Sequence, residues 1–205
     1  MIPKKRFVGF TLIELLIAIA ISSIIGLGLV SLQYILGQNQ VAITQNYRSV
    51  DDANFAVTTF TKEIRRAGQS EIGSYLLATA NDFEIVFYSD SDLDGRNDRI
   101  SYRLEGTNLI RSIISPTTYP VSYPIGSEVE TVLSDIVRNA GTPVFYYYNE
   151  DYPTDVTNNP LVQSARLADT RTVRIYLRVN TEANDFENDF IMDSFTNIRM
   201  LKDNI

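Results

Sequence analysis

Two sets of carboxylates sit where residue type and spacing imply chemistry. In "DSDLDGRND" (residues 90–98), Asp90, Asp92, Asp94 and Asp98 take positions 1, 3, 5 and 9, with Gly95 at 6. Calcium loops of the EF-hand kind draw oxygen ligands from positions 1, 3, 5, 7 and 9 and use a glycine at 6 for the sharp turn. Arg96 offers a carbonyl at position 7, but position 12, normally a bidentate Glu, is Ser101. The flanks also read as strands, so this is no EF-hand. Two readings stand: a Ca²⁺ site inside a hairpin, or an exposed acidic turn with Arg96 and Arg99 as countercharge. The other carboxylate is Glu14, alone inside the apolar run "GFTLIELLIAIAI" (9–21). An acid within a membrane-crossing helix is costly and usually has both a partner and a role. A later acidic stretch, 182–193, lacks ligand spacing and is expected to be a solvated loop.

The rest of the composition excludes more than it suggests. The chain has no cysteine and no histidine, so no disulfide, thiolate nucleophile, imidazole base or His/Cys metal centre can form. The formal charge is −7, and loss of Lys4, Lys5 and Arg6 would make the remainder more acidic. Such a body repels nucleic acid, and no direct nucleic-acid partner is expected. No phosphate-cradling glycine loop or metal-protease helix is present. A membrane-tethered hydrolase would need a pair of carboxylates, and no pair can be singled out. The chain is expected not to be an enzyme. Its twelve tyrosines, three of them contiguous at 146–148, suit either strand packing or a carbohydrate or protein surface.

The elements that position Glu14 begin with the membrane signal. No charged residue occurs from 15 to 47, and the first part, to about Leu36, exceeds the roughly 20 apolar residues of a spanning helix. Lys4, Lys5 and Arg6 precede it and predict a cytoplasmic N-terminus. A secretory signal with cleavage at "AIA" (18–20) fits poorly, because the apolar run continues through Val30. A plain anchor leaves Glu14 unexplained.

"KKRFVGFTLIELLIAIAI" resembles the N-terminal signal of type IV pilins and pseudopilins: basic leader, Gly, Phe, a small residue or Thr, aliphatics, Glu, then a long apolar helix. The resemblance implies that a prepilin peptidase cuts between Gly9 and Phe10 and N-methylates Phe10. It implies that Glu14 meets the new amine of a neighbouring subunit, so that a buried acid is paired rather than stranded. The alternative for Glu14 is a hydrated position near the bilayer edge. Major pilins often carry a proline within the membrane segment. This run has none, and Gly26, Gly28 and Gly37 are its loosening points.

Beyond Gln38 the pattern turns one-sided. Ile43, Val50, Ala53, Val57, Phe60, Ile64 and Ala67 form a stripe at helical period, with Asp51, Asp52, Lys62, Glu63 and Arg66 assigned elsewhere. "EIRRAG" predicts the helix end, with Gly68 as the stop. The body reads as strands at 83–88, 99–104, 108–113, 143–148, 172–180 and 195–201, the first three a meander. A short helix is expected over "EVETVLSDIVRN" (128–139), an extended loop over 115–126, and a surface excursion over 149–169.

The expected fold is α+β and pilin-like: a long N-terminal helix, half membrane and half amphipathic, packed on an antiparallel β-sheet. The expected segments are a leader (1–9), a membrane or filament-core helix (10–36), its amphipathic half (37–68) and a β-rich body (69–205). The body resembles larger minor pilins or J-type pseudopilins at "EIRRAG", at the hairpin "VFYSDSDLDGRNDRISYRLEGTNLIRS" and at the late "IRM". The resemblance implies a minor pilin or pseudopilin of a type IV pilus-like or type II secretion filament. Its implied partners are prepilin peptidase, other pilins and an inner-membrane assembly platform. The implied location is the bacterial inner membrane, single-pass with the body outside the cytoplasm, and then the filament. The alternative is a pilus-tip adhesin delivered by the same signal, with 149–169 as its contact surface.

Overall fold

The computed structural model describes residues 9, 11–180 and 189–201, with side chains described for all of these except 38–49. The chain divides into two compact units, Met1–Asn46 and Tyr47–Ile205.

Helix α1 runs Leu12–Arg65. Within it Leu12–Gly37 is long and apolar enough to cross a membrane, and its described side chains are exposed. A helix that is apolar all round with nothing covering it calls for lipid or a neighbouring helix as its surroundings. From Ala53 onward the helix buries one face instead: Ala53, Ala56, Val57, Phe60 and Ile64 are core residues. Ile43 of the expected stripe falls among the side chains outside the described set.

Five strands make the first sheet, each antiparallel to the next in chain order: β1 (Leu77–Ala80), β2 (Glu84–Ser89), β3 (Asp98–Glu105), β4 (Asn108–Ile114) and β5 (Val129–Ser134). Three make the second: β6 (Phe145–Tyr148), β7 (Thr172–Val179) and β8 (Phe190–Asn197), again antiparallel. β7 alternates half-buried and buried residues along its whole length, as its sequence period requires. The chain thus has two sheets where one was expected. Residues 136–138 bridge them, through a Val137–Val179 pair and the Arg138 N–H to Arg178 carbonyl bond.

Phe60 joins the two layers. Its ring meets Phe87 (6.1 Å) and Tyr102 (5.1 Å) of the first sheet edge-on, and Phe145 (5.4 Å) of the second at a tilt. Such pairs add to the burial of the rings themselves.

Two further expectations need correction. Residues 129–134 are a strand, not a helix. Val129 and Val132 are 66% and 54% exposed, so the helical spacing builds no common buried face, while the outer edge of β4 offers a ladder that β-branched residues fill well. Short apolar runs do not distinguish helix from strand by period alone. β8 starts at Phe190, earlier than expected, and residues 199–201 form a 3₁₀ turn after it. Gly68 does stop the helix, though not through a left-handed turn. Its N–H bonds the Tyr88 carbonyl (2.9 Å), and an added Cβ would lie 3.1 Å from Asn97 Nδ2. Any side chain here would press on the Asn97 amide, so close approach rather than φ favours the glycine.

Because Phe60 fills space between both sheets, Phe60→Ala should lower unfolding stability by about 3–5 kcal/mol. Chemical denaturation of the full chain in detergent, followed by the circular dichroism of the β-rich body, measures this.

Candidate functional site

The acidic hairpin loop lies between β2 and β3, and neighbouring segments brace it. Asn97 N–H bonds Glu71 Oε1 (2.9 Å), Asn97 Nδ2 bonds the Gln69 carbonyl (2.7 Å), and Tyr123 Oη donates to the Asn97 carbonyl (2.6 Å). Gly95 takes φ +88°, the left-handed turn that its position predicts. Asp90, Asp92 and Asp94 each place a carboxylate oxygen within 4.8 Å of the others. Backbone donors line them: Asp90 accepts from the N–H groups of Asp94 (3.1 Å) and Gly95 (3.0 Å), and Asp94 accepts from Arg96 N–H (2.8 Å).

Asp98 does not join this group. It is buried at the start of β3, where it accepts from the N–H and hydroxyl of Ser91. Arg96, expected as countercharge, donates instead to the Thr117 carbonyl (2.8 Å). Three clustered carboxylates are chemically suited to a hard cation with oxygen ligands, which would need further oxygens from the loop backbone or water.

At the N-terminus, Thr11 stands just before the first helical residue and Glu14 three further on. Glu14 Oε2 accepts from the Thr11 N–H and hydroxyl, both at 2.8 Å, and Thr11 Oγ1 accepts from the Glu14 N–H at 3.4 Å. This is a capping box, in which two helix-start donors are satisfied reciprocally. "TLIE" carries that signal openly, and the apolar context hid it in the sequence reading. Both bonds to the carboxylate fall on Oε2, and Oε1 takes none among the described residues. Gly9 is exposed, and an added Cβ there would meet nothing within 4 Å. Among the described residues no packing contact demands glycine at that position. Phe10 lies outside the described residues.

Sequence reasoning missed a buried polar centre one turn beyond Phe60. Glu63, assigned to the polar face, is only 4% exposed. Its carboxylate accepts from Tyr102 Oη (2.5 Å) and pairs with the Arg111 guanidinium, while its carbonyl accepts from Ser89 Oγ (3.0 Å). Its spacing from Phe60 and Ala67 already put it on the buried stripe. Burial first, and then the Glu63 charge, push the Tyr102 phenol well above its ordinary 10.0. Burial opposes the charge on Arg111, but hydrogen bonding to Glu63 and its charge more than offset this and hold the guanidinium above its usual range. Burial likewise raises Tyr147.

One cleft in the body, of about 410 Å³, is lined in part by Asn149, Tyr152, Phe195 and Asn197, and Glu150 is the one carboxylate among its described lining residues. Another, about 310 Å³, lies beside α1 and β5 and includes Asp52 and Asp135. Both of those acids are exposed.

The family model described as "Prokaryotic N-terminal methylation motif" matches residues 6–30, spanning Gly9, Phe10, Thr11 and Glu14. With the apolar helix behind it, this N-terminus is a type IV pilin-like prepilin signal. That signal supports a protein of type IV pilin or pseudopilin type, and the long helix followed by antiparallel sheets is consistent with a pilin-like fold. Such a signal implies processing by a prepilin peptidase, membrane anchoring and assembly with other pilins. It points to a structural, non-enzymatic protein. No curated protein matched the chain.

Removing Glu63 strands Arg111 and the Tyr102 hydroxyl, so Glu63→Ala should cost about 3–5 kcal/mol in denaturant unfolding. Alkaline pH should act on the same centre. Phenols raised in the folded state keep protons that the unfolded chain releases above 10.0, so stability falls as pH rises through that value and beyond. A pH series of melting curves should show a shallower alkaline loss in Tyr102→Phe than in the parent.

Proposed function

We propose that this chain is a minor pilin or pseudopilin, cut after Gly9 and N-methylated on Phe10, that enters a type IV pilus-like or type II secretion filament through its apolar helix. The match over residues 6–30 at the head of an exposed apolar helix carries this reading. Before assembly the helix spans the inner membrane with its N-terminus in the cytoplasm and the β-rich body outside. An inner-membrane platform would extract it. Cleavage leaves an amine on Phe10, and Glu14 registers one subunit against the amine of the next. The capping bonds from Thr11 keep the carboxylate oriented while Oε1 stays available. The absence of proline in the membrane segment and the two-sheet body favour an initiator or tip component over the main shaft protein.

A second reading is a tip adhesin carried by the same signal. One observation favours it: the excursion after β6 contributes Tyr152 and Pro153 to the larger cleft. That excursion also supplies core Leu161, and Arg166, which lies over the Tyr147 ring at 5.0 Å. Point variants therefore test this reading better than deletion of 149–169. Calcium at Asp90, Asp92 and Asp94 belongs to the proposal as a further element, supported by the closeness of the three carboxylates.

N-terminal sequencing of protein purified from native membranes should begin at N-methyl-Phe10, and a start at Met1 contradicts the processing reading. Glu14→Gln should leave the body folded and sharply reduce recovery in sheared filaments. For calcium, the parent should melt at higher temperature in millimolar Ca²⁺, and the doubly substituted Asp92→Ala, Asp94→Ala chain should not respond. An equal response from both removes the metal.

A further inference from the structure

The 410 Å³ cleft combines features that the filament reading leaves unused. One wall is a ring cluster. Tyr152 and Phe195 stack near-parallel, 8° apart with centroids at 5.8 Å, and Tyr148 packs on Tyr152 at 4.3 Å. Phe195 nonetheless remains 43% exposed. Around it the charge reverses. Arg171 lines the cleft, and Arg65 and Arg199 line an adjoining hollow that shares Phe195 and Asn197. None of these three arginines is in an ion pair among the described residues, although the chain carries a net charge of −7. Arg171 is oriented by Nη1 bonds to the carbonyls of Ala168 and Thr170, both 3.2 Å. Asn149, Asn197 and Glu150 complete the rim.

We propose that this cleft binds an acidic saccharide. A sugar ring has an apolar C–H face that packs on aromatic rings, and hydroxyls that pair with planar amides and carboxylates. Its carboxylate fits a guanidinium fork. The volume suits one or two rings. Single-stranded nucleic acid also uses aromatic stacking with a basic track. It fits less well, because Glu150 stands in the cleft and a DNA backbone offers it no hydroxyl donor along the strand. A uronic acid oligomer also carries one charge per residue, but its ring hydroxyls can donate to Glu150. The inference deepens the adhesin reading by naming its ligand class.

The test is calorimetric titration of the full chain in detergent micelles with a short galacturonate oligomer, a neutral cello-oligosaccharide and oligo-thymidylate. Galacturonate should bind, weaken as salt rises, and lose about tenfold or more in affinity in Phe195→Ala and in Arg199→Gln. Both positions are exposed, so folding should survive. Arg103→Gln, outside the cleft in the first sheet, should bind as the parent does. No galacturonate binding at millimolar concentration, equal binding of the neutral sugar, tighter binding of oligo-thymidylate, or indifference to both cleft variants overturns the proposal. If galacturonate fails while cell adherence persists and Tyr152→Ala abolishes it, the saccharide is wrong and the adhesin reading survives.

Discussion

The last turns of α1 make one long helix part of a folded body, and the attachment is both apolar and ionic. Phe60 lies between rings of both sheets, and one turn on Glu63 reaches β2, β3 and β4 through Ser89, Arg111 and Tyr102. The apolar contact provides most of the adhesion, since ring burial is favourable without special geometry. The ionic contact adds little by itself, because desolvating Glu63 and Arg111 offsets much of their attraction. What it adds is register. Only one rotation and one height of the helix let Glu63 meet both Tyr102 and Arg111, which are cross-strand partners on β3 and β4.

Two acids on one helix therefore face the same problem in different surroundings. Glu63 has its partners within the chain and is buried among them. Glu14 has only the bonds from Thr11 within the chain, and its surroundings are apolar and exposed. The capping box reduces the need for an outside partner without removing it, since one carboxylate oxygen stays unengaged among the described residues. Within the chain the carboxylate is thus half engaged rather than a bare charge.

The body separates architecture from surface chemistry. The core face of α1 and the inner faces of both sheets are continuous apolar packing, whereas the loops after β2 and β6 carry acids and aromatics on a braced backbone. Loops held this firmly by a scaffold are where binding groups usually sit.

Much of this was legible in the residues alone. The signal reads in register because it is contiguous, the strands at β3, β4 and β7 read because period 2 is a local property, and β2 reads from its run of β-branched and aromatic residues. Those signals need no partner to be visible. Tertiary structure decided the rest: that 129–134 would complete a ladder rather than coil, that the strands would split into two sheets, and that Asp98 would turn inward to Ser91. It also decided that Glu63 would be core, because burial of an acid depends on Tyr102 and Arg111 arriving from distant strands. The physical reason is common to all four. Each outcome is set by which groups meet across long sequence separations, and the local pattern carries no record of that meeting.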